Sequence, residues 1–320
     1  MGERVTNLTE GLLLVTNKAD ETMSIVDPEM GRQIAVVPVG GSTAHEVAAS
    51  PDGRFAWVPI YGDSGVGMPG SDGRTVNVID LGTRKIVASI DLGRPSRPHH
   101  AVFGPKDGRL YVTSELTNSI EIIDPVQSKV VDSIPTGAPE SHMMVITSDG
   151  EKAYTSNVGV GTISAIDIQK KKVIAVIPIS RIAQRIGISI DNRWVFTSDQ
   201  TDPKLAVIDT QKNQVATRIP LEGTGYGVAP TLDGRYLLVA QPYPGSVSIV
   251  DLESMKVQRV IKVRPEPQEV LVRPDNQMAY VSCDASKQIA AIDLSTWKVD
   301  RFIDVGGGAD GLAWANKISR

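Results

Sequence analysis

One cysteine, Cys283, is present in 320 residues, so no internal disulfide can form and a cysteine-based zinc site is excluded. No apolar run approaches the roughly 18 residues a membrane helix needs, which argues against a bilayer span. There is also no surplus of positive charge: 33 basic residues face 37 acidic ones, and nucleic acid is therefore a poor partner. No low-complexity or highly charged segment occurs, and 41% apolar with 22% charged residues describes an ordinary folded chain. The N-terminal Met1-Gly2-Glu3-Arg4 enters Gly11-Leu12-Leu13-Leu14-Val15 without the charged and long apolar regions of a signal peptide. The expectation is a cytoplasmic protein, or a periplasmic or secreted one if a leader has been removed. Asn7-Leu8-Thr9 matches a glycosylation sequon, which is read as unused.

Also missing is any helical period; in its place a short unit returns seven times. Aligning its copies brings His45, His99, His142, Gln184, Tyr226, Gln268 and Asp310 to one position, and the last four intervals are all 42 residues. A fixed period of this size marks a repeat architecture whose units bury their apolar faces on one another. The copy from His142 to Pro178 divides into Met143–Ile146, Lys152–Ser156, Thr162–Asp167 and Lys172–Ile177, rich in Val, Ile, Thr and Tyr. Runs of this length bounded by Asp-Gly turns read as antiparallel strands.

The turn recurs at Asp52-Gly53, Asp107-Gly108, Asp149-Gly150, Asp191-Asn192, Asp233-Gly234 and Asp275-Asn276, with only Gly or Asn second, as a positive φ demands. A second marker, an aspartate closing the third strand, recurs at Asp27, Asp80, Asp124, Asp167, Asp209, Asp251 and Asp293 and should accept backbone N–H groups of the next turn. Four strands repeated seven times close into an all-β, seven-bladed β-propeller of four-stranded antiparallel blades, expected as one domain over residues 1–320. The blades are placed at 310–316 with 11–38, then 45–92, 99–135, 142–178, 184–220, 226–262 and 268–304. The orphan C-terminal strand, Asp310 to Ala315, should complete the blade begun by the three N-terminal strands and remove an exposed edge.

Leu14-Val15-Thr16-Asn17, Tyr111-Val112-Thr113-Ser114, Tyr154-Thr155-Ser156-Asn157 and Tyr280-Val281-Ser282-Cys283, with the Ser50–Gly53 turn and the Ile-Asp markers, resemble the YVTN family of β-propeller repeat proteins over nearly the whole chain. The resemblance implies a seven-bladed, often exported protein whose relatives have diverse roles. It says little about activity.

The aligned position should begin the innermost strand of each blade, so its seven residues should ring the mouth of the central channel. His45, His99 and His142 would then be neighbours, and three imidazoles leaving an open position suit a catalytic divalent ion such as Zn, Mn, Fe or Cu. Gln184, Arg185, Gln268, Asp310 and Tyr61 are candidates for substrate binding, and Glu115 and Tyr226 for proton transfer. Glu46, directly after His45, is a further carboxylate of this kind. Arg185 could bind an anionic group or form a surface salt bridge, whereas His100, next in its strand after His99, should point elsewhere. Cys283 is read as a small buried residue.

His45 and His99 are 54 residues apart, and the excess over the repeat falls in the Gly-rich stretch Gly62 to Gly73, on the same face as the histidines. This is the composition of a lid. Its Gly65-Val66-Gly67-Met68-Pro69-Gly70 opens no helix, so dinucleotide binding is rejected. The leading expectation is a metal-dependent lyase, hydrolase or oxidoreductase acting on a small molecule at the channel mouth. The alternative is a non-catalytic scaffold propeller binding a ligand or a protein partner.

Overall fold

The computed structural model describes residues 10–316; the Asn7-Leu8-Thr9 sequon and the Met1–Arg4 segment lie outside them. Seven four-stranded antiparallel sheets form the blades of an all-β propeller, and the only helical elements among the described residues are 3-10 turns at Val158–Val160 and Asp284–Ser286. The sheet of Gly11–Asn17, Thr22–Asp27 and Arg32–Pro38 is closed by Ala309–Asn316, which pairs with Gly11–Asn17. That closing pair spans the chain, with Leu14 opposite Ala313 and Val15 opposite Leu312. No helix among the described residues is long and apolar enough to cross a membrane.

The repeated chemistry explains the repeated geometry. Gly53, Gly108, Gly150, Asn192, Gly234 and Asn276 all have positive φ at the turn between first and second strands. All seven marker aspartates accept N–H bonds from the turn that follows, for example Thr83 onto Asp80, Lys170 onto Asp167 and Ser254 onto Asp251.

Within a blade the second and third strands are almost wholly buried, whereas the fourth alternates, as in Lys172–Pro178. The core consequently lies between blades. Seven apolar clusters occupy the seven inter-blade spaces; one packs Leu14, Met23 and Ile25 against Ala56, Val58 and Ile79, and another packs Leu13 and Val15 against Tyr280 and Ile289. A blade removed from the ring would expose two such faces.

The inner strands contact one another in sequence around the axis. Five of them, Pro98–Phe103, Ser141–Ile146, Ala183–Ile188, Pro267–Val272 and Ala309–Asn316, carry a register shift at their start. Thus Pro98 pairs with Ser114 and Ala101 with Val112, leaving His99 and His100 opposite Thr113 alone. An extra residue of this kind re-aims the side chains around it. In five blades the residue two before the ring position is left-handed, namely Thr43, Arg97, Glu140, Glu266 and Gly308.

At five of the seven ring positions a hydroxyl from the preceding blade bonds the ring residue's carbonyl. Thr16 donates to the carbonyl of His45, Thr113 to that of His142, Ser156 to that of Gln184, Ser198 to that of Tyr226 and Ser282 to that of Asp310. Where the bulge brings backbones together, glycine is required: a Cβ at Gly227 would overlap the Gln268 carbonyl oxygen, and one at Gly311 would lie 2.5 Å from that of His45. His45 and Tyr226 differ from the expected placement, since their inner strands shrink to Ala48–Ala49 and Val228–Pro230 and the two residues sit in irregular backbone just before them.

Thr113 also accepts the His100 N–H, so Thr113→Val leaves a buried donor and a buried acceptor unpaired with little change of shape. We expect a loss of about 1–3 kcal/mol in urea unfolding with the β-sheet circular dichroism unchanged; an unaltered midpoint would show that the hydroxyl does not secure the ring.

Candidate functional site

A cavity of about 450 Å³ opens at the channel mouth, and His45, Tyr61, His99, His142, Gln184, Arg185 and Tyr226 line it with Lys18, Thr43 and residues 63–66 of the inserted loop. The expected ring thus brings its three histidines together. The His99 ring lies between the others, 5.0 Å from His45 and 3.5 Å from His142, centroid to centroid, and Tyr61 meets both His45 and His99 edge-on.

Each outer histidine has a carboxylate behind it. His142 Nδ1 faces Glu115 Oε1, and Tyr61 Oη donates to Glu115 Oε2 at 2.7 Å. His45 Nδ1 lies 3.1 Å from Asp310 Oδ2. A carboxylate at Nδ1 fixes the proton there and leaves the Nε2 lone pair available, the arrangement typical of metal-bound histidines. On His142 that lone pair accepts a hydrogen bond from the Gln184 amide at 3.0 Å. His99 differs: it is 1% exposed and neither ring nitrogen has a hydrogen-bond partner among the described residues. Donor atoms of His99, Glu115 and His142 lie within 4.8 Å of one another.

Burial and the neighbouring imidazoles hold His99 well below the ordinary histidine range. His142 is lowered too, because burial outweighs the opposing pull of Glu115. Both rings are consequently neutral, as ligation requires.

A second layer of charge lies beneath. Arg185 is not a surface residue: it is fully buried and reaches across the channel, where Nη1 donates to Glu46 and Glu269 and Nη2 donates to Asp310 at 2.7 Å. Its face also covers the Tyr226 ring at 4.6 Å. Lys18 adds contacts to Asp284 at 2.8 Å and Asp310 at 3.3 Å. Asp310 is pulled in two directions: burial would raise its pKa, but Arg185, Lys18 and His45 hold it well below the usual carboxylate range. Two cations cannot balance all the surrounding carboxylates. Burial pushes Glu46 up to about 8, against the pull of Arg185, and raises Glu269 as well.

These positions sort the sequence-derived candidates. Tyr61, Gln184, Arg185 and Tyr226 line the cavity with the histidines, and Glu115 stands directly behind His142. Gln268 and Asp310 do not line it. Gln268 bonds the Glu266 carbonyl, and the Asp310 carboxylate is occupied by His45, Arg185 and Lys18. Arg185 is likewise engaged by three carboxylates, leaving only its buried Nε unpaired.

Directly after the ring position, Glu46, Arg185 and Glu269 meet inside the channel, and for Arg185 and Glu269 the register shift at the start of the inner strand allows it. His100 does not line the cavity, and its Nδ1 accepts the Met144 N–H at 3.1 Å. Cys283 is buried, as expected. Strand alternation missed Glu269, and Lys18 carried no repeat signal; three charged residues in register directly after the ring position were the available clue to the first.

The inserted stretch does reach the histidines, but as a pinned element. Arg97 donates to Asp72, to Gly65 O at 3.0 Å and to Met68 O at 2.7 Å, and Ser64 donates to Asp72 at 3.1 Å.

Two measurements test the buried charge layer. Arg185→Met removes the buried cation shared by Glu46, Glu269 and Asp310, leaving at least Asp310 Oδ1 without its ion-pair partner, and should cost about 3–5 kcal/mol at neutral pH. Glu46, raised from 4.5 to about 8, contributes stability that is present below pH 4.5 and declines as pH rises toward 8. Glu46→Gln has no proton to lose, so urea unfolding should show its stability improving relative to wild type from about pH 5 to pH 8. A constant difference across that range would contradict the assignment.

Residues 29–219 match the family described as Lactonase, 7-bladed beta-propeller. No curated protein matches the chain in sequence. Among solved structures, Kuenenia stuttgartiensis hydrazine synthase superposes with a TM-score of 0.73 at 20% identity, covering 88% of this chain and 92% of that one. Dihydro-heme d1 dehydrogenase NirN in complex with DHE gives 0.70 at 15% identity, covering 95% of this chain and 75% of that one. At such identities the likeness is one of fold, whereas the family match extends over more than half of the sequence. The chain is a member of the Lactonase, 7-bladed beta-propeller family.

Proposed function

We propose that the protein is a metal-dependent enzyme acting on a small molecule in the channel-mouth cavity, with a divalent ion held by His45, His99 and His142. The observation that carries this reading is His99, buried between the two other rings with neither nitrogen bonded. An unpaired buried polar group costs about 1–3 kcal/mol, and a cation would supply the partner that no atom of the described residues provides. Glu115 and Asp310, each at the Nδ1 of an outer histidine, support the same reading by orienting Nε2. For His142 Nε2 to ligate, Gln184 would have to give up its hydrogen bond to that atom.

A bound ion in such a site polarises a substrate oxygen or lowers the pKa of water. The chain's own residues do the rest. Burial raises the Tyr226 hydroxyl above the usual phenol range, although Arg185 pulls the other way, so it stays protonated and donates to a substrate oxygen. Glu115 accepts the Tyr61 hydroxyl's hydrogen bond on one oxygen and faces His142 Nδ1 with the other, fixing the orientation of both side chains. The family name makes a cyclic ester the first substrate class to try. Water adds to the carbonyl carbon, the ring C–O bond breaks, and a hydroxy acid leaves.

Protein purified without chelator, or reconstituted with zinc, manganese, iron or copper, should carry about one ion per chain by elemental analysis. His99→Ala and His142→Ala should lose it while keeping their β-sheet spectra, and lactone hydrolysis should disappear with the ion. Metal-free preparations that take up none of these ions, or equal loading of wild type and both variants, would overturn the proposal.

A further inference from the structure

We infer that Arg97 is the residue that governs access to the histidine cavity, by clamping the inserted loop over it as a roof. The inference deepens the reading above, since the roof matters to function only if the cavity is used, but its structural part stands separately. Asp63, Ser64, Gly65 and Val66 line the cavity, so the loop forms part of its wall. At its tip, a Cβ on Gly67 would lie 3.5 Å from Glu140 Oε1, so the loop extends from the blade of His45 to the entry of the His142 blade.

Few groups hold this excursion in place. Residues 62–73 contain no Leu, Ile or Phe, and Met68, the largest apolar side chain there, is 61% exposed. The guanidinium of Arg97 substitutes for a hydrophobic anchor. Only 6% exposed, it satisfies two loop carbonyls and the Asp72 carboxylate with three different nitrogens, and its face lies 5.9 Å from the Tyr61 ring. Lysine, with one nitrogen, could not span these acceptors. The backbone contributes to the same clamp. Arg97 has φ 49°, a conformation uncommon for a residue other than glycine, and its N–H and that of Ser96 both donate to Gly73 O at 3.0 Å. Pro98 and His99 follow immediately. One residue therefore joins the roof, the Tyr61 ring and the central histidine.

Arg97→Asn tests the clamp because asparagine tolerates the left-handed backbone but lacks the fork; Asp72→Asn tests it from the other side with the arginine retained. In hydrogen–deuterium exchange on the full chain, amides of residues 63–71 should exchange at least about tenfold faster in both variants than in wild type, with the blades unchanged, as loss of one charge-assisted bond suffices for that factor. In zinc-loaded protein, release to a chromogenic chelator should accelerate by a similar factor while equilibrium loading stays near one per chain. Unchanged exchange in either variant overturns the clamp. Faster exchange with unchanged zinc release overturns the control of access. If no zinc binds to any form, the metal reading fails and amide exchange alone decides whether Arg97 holds the roof.

Discussion

At five of the seven blade junctions a hydroxyl on the second strand of one blade bonds the backbone carbonyl of the ring residue in the next, and the placement of two of the three histidines depends on it. Thr16, Thr113, Ser156, Ser198 and Ser282 make this bond to His45, His142, Gln184, Tyr226 and Asp310. The carbonyl needs such a partner because the regular ladder is broken there, by an extra residue at His142, Gln184 and Asp310 and by irregular backbone at His45 and Tyr226. The same Thr or Ser thus serves its own blade as a strand residue and the neighbouring blade as a hydrogen-bond donor. Apolar clusters between blades hold the ring together, while these hydroxyls set where its innermost side chains point.

Two layers of opposite character result. The upper layer is imidazole, and burial and the neighbouring rings keep His99 and His142 neutral. The lower is a network of charge in which Arg185 reaches from its own blade to carboxylates of three others. Asp310 belongs to both, since one oxygen orients His45 and the other receives Arg185. The channel is stapled across its centre by a polar group, where each blade's apolar faces cannot reach. The strong dependence on pairing is the general cost of burying charge: each member is tolerable only while the others remain.

The architecture is legible in the sequence because its determinants are local and repeated. Asp-Gly turns, the aspartate after each third strand and the orphan C-terminal strand all report on structure within a few residues, and each adopts the expected form. The adjacency of His45, His99 and His142 is legible for the same reason, through their common register. Alternation in a regular strand, however, assigns consecutive residues to opposite faces, and the bulge suspends that rule where the site is built. Pattern alone therefore does not bring Arg185 and Glu269 together, and it turns Asp310 toward a ligand, whereas its oxygens are taken up inside the protein. Arg97 and Lys18 lie beyond the reach of sequence pattern altogether, because their partners come from a nonrepeated insertion and from the other end of the chain, brought alongside only by ring closure.

The central claim is that the three histidines converge on one ion. Its most direct test is anomalous X-ray diffraction from a zinc-soaked crystal, with data collected on both sides of the zinc edge. The account predicts one strong peak at the channel mouth, about 2.0–2.1 Å from a nitrogen of each of His45, His99 and His142. A map with no peak among these rings, at a zinc concentration that populates other sites, would contradict it.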